Sequence, residues 1–287
     1  MSGVQGSLKA RTGRDGFRLS LIAIHLVLLL VGATMVVPFL WMVSTSIKPK
    51  PEIERYPPTW LPNEPTASNF IEAFQVAPFH IFFMNSVIVS LAVTASILFF
   101  CSLAGYVFAK LKFPGRDVAF LLVLGKIMVP FQLTVIPLYL IITRIGLANS
   151  LGALIVPLMI GAFGIFMMRQ FIIDIPDDLM DAAFIDGCGA FGIYWRIIVP
   201  SVVPALATLA IFTFIDTWGQ FLWPLIVIKS PNKMTLQIGL ALFSNQYYTD
   251  YGPLMAATLV SVMPLLIVFA ILQRRVIESI TLTGLKS

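Results

Sequence analysis

Charge is scarce in this sequence. Only 11% of its 287 residues are Asp, Glu, Lys or Arg, whereas a soluble globular chain carries about 25%. So little charge excludes a water-facing surface over most of the chain and implies an integral membrane protein. Cysteine is scarce as well. Cys101 and Cys188 are far apart and form no CxxC pair, which excludes a disulfide scaffold or thiol redox motif and leaves two inert thiols. The only histidines are His25 and His80, so there is no HExxH motif and no Cys/His metal cluster. The net charge of +5 is dispersed, with no basic run interleaved with aromatics, which excludes nucleic acid as a partner. No short repeat and no GxxxxGK[ST] phosphate loop is present. Any ATP-driven work therefore needs a nucleotide site on another chain.

Apolar sequence is abundant, at 58% of residues. A membrane-crossing helix needs about 20 apolar residues. Six runs meet or nearly meet this: residues 19–47, 81–109, 118–143, 145–168, 197–215 and 251–273. Lys126, in the third run, is the only formal charge in any of them. Pro38, Pro130, Pro137, Pro157 and Pro264 fall inside the runs, where neighbouring helices can satisfy freed backbone groups. The expected fold is an all-α integral membrane protein, one transmembrane domain over residues 1–287. The polar, basic N-terminus lacks a small-residue cleavage site, so the first run is expected to be a retained span.

Basic residues set the expected sidedness. Twelve Lys and Arg fall on the side of both termini and of residues 169–196, six on the other. Both termini are then cytoplasmic, and tracts 48–80 and 216–250 are external. Residues 217–228, TWGQFLWPLIVI, are too short to cross and read as a re-entrant or interfacial piece, with Trp218 and Trp223 at the membrane boundary.

The segment 174–200 interrupts this apolar text with acidic and small residues. Pro176 suits a helix start, and Asp177 and Asp178 suit the first turn, where negative charge favours the helix dipole. A helix is expected over roughly 177–185, stopped by Gly187, and a second over roughly 190–198. Asp178, Ala182 and Ile185 share one stripe; Ala183, Asp186 and Ala190 lie on another. Small side chains permit close approach, and carboxylates can pair with basic groups of a partner. Two readings stay open on the residues alone: a docking element, or an amphipathic connector on the membrane surface.

The segment resembles the EAA signature of ABC importer permeases. The matching residues are Asp181-Ala182-Ala183, then Asp186-Gly187-Cys188, ending at Val199-Pro200. The flanking text resembles the maltose-type, sugar-class permeases: Pro130-Phe131-Gln132, Ile136-Pro137-Leu138, Gly146 to Ser150, Met168 to Phe171, Trp218 to Pro224, and Gln273 with the Gly284–Lys286 tail. The likeness covers nearly the whole chain from about residue 20 and is to the shorter, six-span partner of the permease pair. It departs from the signature at Asp181, where the family has Glu, and at Cys188, where it has Ala. Gly219 stands where a polar residue commonly follows the tryptophan.

The resemblance implies a non-catalytic permease subunit of an ATP-driven importer in the cytoplasmic (inner) membrane. It would move a sugar, oligosaccharide or related polyol or sugar phosphate inward by alternating access. It implies a homologous second permease, two cytoplasmic ATPase subunits that bind the ATP and Mg, and an extracytoplasmic solute-binding protein; this chain would hold no cofactor or metal. By carry-over, Asp181, Ala182, Ala183, Asp186 and Gly187 form the ATPase-coupling surface. Asn245, Gln246 and Tyr247 lie in an external loop that would reach the binding protein. Candidate substrate-pathway residues are Asn85, Lys126, Gln132, Trp218 and Gln220. Lys126 leads this group, because a charge at membrane depth costs about 2.5–3.5 kcal/mol on insertion scales. An ion-driven secondary transporter or channel is the alternative, but it calls for more intramembrane carboxylates or inverted repeats than the sequence holds.

Overall fold

The computed structural model describes the backbone of residues 4–244 and 248–284, and the side chains of 21–244 and 248–274. Apart from one isolated bridge between Ser244 and Thr249, the regular structure of these residues is helical. Three helices are long and apolar enough to cross a membrane unbroken: Leu21–Ser46, Phe79–Lys110 and Tyr251–Arg274. Three more candidates are bent pairs. Arg116–Ile127 meets Phe131–Arg144 at 104°, Leu151–Leu158 meets Ala162–Ile173 at 41°, and Ala190–Ser201 meets Val203–Gly219 at 80°. The helices therefore provide three spans, or up to six if each bent pair is one span.

Local chemistry explains the breaks. Pro130 has ψ 135° and opens the Phe131–Arg144 helix, and it restricts Val129 before it. Gly161 adopts an extended conformation (φ −119°, ψ 132°) between the halves of the fourth span. Val202 leaves helical geometry, and Pro204 follows in the first turn of the next helix, where its missing N–H is not needed. Pro38 and Pro264, by contrast, lie inside continuous helices.

Two expected boundaries are corrected. Residues 145–150 form a turn, not the start of a span: Gly146 and Asn149 both have positive φ, and Ser150 caps the helix that begins at Leu151 by accepting the Ala153 N–H. The fifth span runs further than residue 215, as the helix Val203–Gly219.

The described residues pack as two units: Met1–Glu72 with Asp250–Leu259, and Ala73–Thr249 with Val260–Ser287. In the first unit, polar groups order the tract after the first helix. The Asn69 amide donates to the carbonyls of Ser46 (3.0 Å) and Lys48 (2.7 Å), satisfying acceptors at the helix end. Glu52 is buried and accepts from the Thr59 hydroxyl (2.8 Å), the Asn63 backbone N–H (3.1 Å) and the Asn63 amide (2.9 Å). The Thr59 hydrogen bond, more than any other influence, holds the Glu52 carboxyl below its ordinary pKa, with Asn63, Lys48 and Arg55 assisting against partial burial. A lowered folded pKa adds stability above the unfolded value, lost as pH falls through the folded one. Glu52→Gln is therefore expected to unfold at a lower temperature than the parent at neutral pH. The gap should close as pH drops below about 4, read by thermal unfolding in detergent at both pH values.

The second unit is centred on Phe79–Lys110, which packs against Ala162–Ile173 and Val203–Gly219. Glycine permits close approach of these helices. A Cβ on Gly105 would lie 2.8 Å from Met168 Cβ and 2.9 Å from the Arg169 nitrogen, and one on Gly164 would lie 2.9 Å from Cys101 Sγ. Cys101 Sγ also lies 3.4 Å from both the N–H and the carbonyl oxygen of Gly161, at the break of the fourth span. Tyr106, Met168, Ile172, Ile193, Tyr194 and Ile198 share one buried cluster here.

Candidate functional site

Two features stand out in the second unit: a cavity at the helix breaks and the acidic helix. The cavity holds about 660 Å³ and is lined from the second, third, fourth and fifth spans. Val93 and Ile97 form one wall, Phe131 and Thr134 stand beyond the Pro130 break, and Pro157 to Gly164 bring in the fourth-span break. The fifth span adds Leu209, Phe212, Thr213, Asp216 and Thr217. The lining is mostly apolar, with Lys126, Thr134, Thr213, Asp216 and Thr217 as its polar side chains.

Lys126 and Asp216 both line this cavity, and no ion pair joins them among the described residues. Asp216 reaches it because the Val203–Gly219 helix extends past residue 215. Asp216 was not among the candidates drawn from the sequence. The available signal was the three- and four-residue spacing of Thr213, Asp216 and Thr217, which puts them on one helical face.

The other proposed pathway residues do not line this cavity. Trp218 is corrected to a core residue. It is 2% exposed, stacks on Phe214 with ring centroids 5.6 Å apart, and its indole N–H donates to the Ser261 carbonyl at 3.0 Å. Trp223 is likewise interior, 0% exposed. Asn85 is buried and donates to the carbonyls of Asn232 (3.1 Å) and Met234 (2.9 Å), so its amide fastens a loop to the second span. Beside it, Ser86 Oγ accepts the Leu236 N–H at 2.8 Å. Gln220 is half-buried at a separate narrow cleft with Ser86, Ser90, Thr217 and Thr235. Gln132 is exposed in the first turn of Phe131–Arg144. Asn245, Gln246 and Tyr247 lie outside the described residues.

The acidic segment folds as a helix over Asp177–Ile185. Pro176 precedes it with ψ 135°, and Asp177 and Asp178 occupy its first turn. It ends in a Schellman motif. Gly187 adopts φ +82°, its N–H donates to the Phe184 carbonyl (3.0 Å), and the Cys188 N–H donates to the Ala183 carbonyl (2.9 Å). The following turns run through Ala190–Ile193 into a wider π-type turn, Tyr194–Ile198. The Tyr194 hydroxyl meets Ser102 Oγ at 2.7 Å, which seats this stretch against the second span.

Asp181, Ala182, Asp186 and Gly187 are exposed. Ala183 is the exception among the expected coupling residues. At 8% exposure it faces inward with Met180, because its position on the helix points to the core cluster. The exposed face instead includes Leu179, Phe184 and Ile185, apolar residues that the acidic pattern had overshadowed. The Asp177 carboxyl is held below its ordinary pKa, first by the hydrogen bond from Lys110 and then by the lysine's charge.

Three unbroken apolar helices and three bent pairs are the plan of an integral membrane protein. The chain belongs to the family described as binding-protein-dependent transport system inner membrane component, whose model matches residues 25–281. It is 37% identical to the arabinooligosaccharides transport system permease protein AraQ of Halalkalibacterium halodurans over 88% of this chain and 91% of that one. It is 32% identical to the lactose transport system permease protein LacG of Rhizobium radiobacter, over 91% and 95% respectively. In fold it is similar to a chain of a bacterial ABC transporter involved in the import of the acidic polysaccharide alginate. That match has a TM-score of 0.79 at 21% identity, covering 90% of this chain and 96% of the other.

Proposed function

We propose that this chain is the membrane-spanning permease subunit of an ATP-driven importer that carries a sugar or oligosaccharide inward by alternating access. It pairs with a homologous permease, receives substrate from an external binding protein, and performs no covalent chemistry. Two ATPase subunits bind ATP and Mg, and one of them docks on the 174–200 segment at the cytoplasmic side, where both termini of this chain also lie. The observation that carries the reading is the family match over residues 25–281, with sugar-transport permeases among the relatives that span about nine-tenths of the chain. The broken-helix cavity supports a pathway: Lys126 and Asp216 offer charge, the threonines offer hydroxyls, and Phe131, Phe163 and Phe212 offer faces for sugar rings. The exposed carboxylates of Asp181 and Asp186, next to exposed Ile185, support docking onto a surface with basic groups and an apolar pocket.

The docking surface is tested by combining Asp186→Lys with Gly187→Asp. Charge reversal removes the attraction, and a Cβ at Gly187 strains a left-handed residue although nothing lies within 4 Å of it. ATPase subunits that co-purify with the parent are expected to be lost from the variant at least about tenfold, with membrane insertion unchanged. Undiminished ATPase binding refutes the docking role.

A further inference from the structure

Lys110, the last residue of the helix Phe79–Lys110, has a side chain only 5% exposed. Its ammonium donates to the Ile173 carbonyl (3.2 Å), the Ile175 carbonyl (2.5 Å) and the Asp177 carboxylate (2.7 Å). An ammonium has three donors, and all three are used. The acceptors bracket one short joint. Ile173 ends the helix Ala162–Ile173, Ile175 lies within the connection 174–176, and Asp177 starts the acidic helix. The first acceptor sits at a helix C-terminus, where the macrodipole favours a cation. A buried charge with every donor satisfied resists displacement, because breaking one bond leaves it uncompensated. Close by, Arg169 Nε donates to the Phe108 carbonyl (3.2 Å) and its guanidinium lies 4.2 Å from the centre of the Phe120 ring, tying the same helix ends together.

We propose that Lys110 is a positioning residue for coupling: it locks the 174–176 joint, so that the acidic helix and the second span move as one body. The proposal rests on the reading of the acidic helix as the ATPase dock. Three residues of chain alone would act as a hinge and absorb motion of the dock. A cation bridging both sides of that hinge makes it a strut, and displacement of the dock then tilts the second span, whose Val93 and Ile97 line the cavity.

The test uses the complete transporter in lipid vesicles, with spin labels at Ile185→Cys and Leu91→Cys in a Cys188→Ala background. Both labelled side chains are exposed. The label-to-label distance is measured without nucleotide and after trapping with ATP, Mg and vanadate. With Lys110 present it is expected to agree between the states within about 2 Å, the scale of a packed helix shift. In Lys110→Met it should differ by about 5 Å or broaden comparably, while vanadate trapping of the ATPases persists, and Lys110→Arg should restore the single distance. Asp177→Asn removes one arm at an exposed position and should loosen the joint in the same direction to a smaller extent; it serves if Lys110→Met fails to assemble. The proposal is overturned if the distance changes between states with Lys110 in place, or stays fixed in both Lys110→Met and Asp177→Asn. The Asp186→Lys, Gly187→Asp pair separates the two ideas. Retained ATPases there sink the docking reading, whereas lost ATPases together with a fixed joint in both Lys110→Met and Asp177→Asn sink only the strut.

Discussion

Trp223→Ala is expected to be among the most destabilising single substitutions in this chain. The indole is 0% exposed and packs with Val89, Val93, Ile142, Ala153 and Leu154, and it meets the Phe131 ring edge-on at 6.2 Å. Its N–H donates to the Ala153 carbonyl at 3.0 Å. That carbonyl would ordinarily bond the N–H four residues on, but residue 157 is proline and has none. Trp223 thus supplies the donor that Pro157 removes. In lipid the gain from hiding apolar surface is weak, so the loss falls on contacts and on this hydrogen bond. The lower end of the large-to-small range applies, about 3 kcal/mol. Thermal unfolding in detergent should show it. Trp223→Phe, which keeps most contacts but loses the donor, should cost about 1–2 kcal/mol. Equal losses in the two variants would remove the argument for the indole's packing.

Gly105→Leu should produce a loss of similar size by the opposite route. The added Cβ meets Met168 Cβ at 2.8 Å and the Arg169 nitrogen at 2.9 Å. Neither is the free end of a flexible side chain, so the two helices must separate. Overpacking typically costs about 1–3 kcal/mol, and rigid neighbours place this site at the top of that range. Separation would also pull Arg169 from Phe108 and Phe120. Gly32→Leu is the control, since nothing lies within 4 Å of a Cβ there. It should leave the unfolding temperature unchanged or slightly raised, because leucine is the better helix former. If Gly105→Leu unfolds at the parent temperature, the close helix contact does not limit stability.

Much of the helical plan was legible in the sequence, because runs of about 20 apolar residues have few other uses. The acidic helix was legible almost to the residue: Pro176, the two first-turn aspartates and Gly187 are strong local signals acting over a few residues. What escaped was the location of the breaks. Pro38 and Pro264 sit in continuous helices while Pro130 opens a bend of 104°, so a proline in an apolar run does not by itself mark a break. Polarity inside an apolar run picked out Asn85, but its amide is committed to loop carbonyls far along the chain. It picked out Lys126 too, and that residue does reach the cavity wall. Sequence distance hid the partners of Asn85.

The loop fastened by Asn85 is held in an unusual way. Asn85 binds the carbonyls of Asn232 and Met234, and Ser86 takes the Leu236 N–H. Asn149 Oδ1 takes the N–H groups of Lys229 and Ser230, each at 3.0 Å. Every one of these bonds grips main chain. The exposed side chains of Lys229, Pro231 and Asn232 take no part in these bonds, whereas Ser230 and Lys233 each add a side-chain bond to Asn149, both 2.8 Å. The stretch can change its outer chemistry at those three positions while the main-chain path is kept, much as a template carries interchangeable faces.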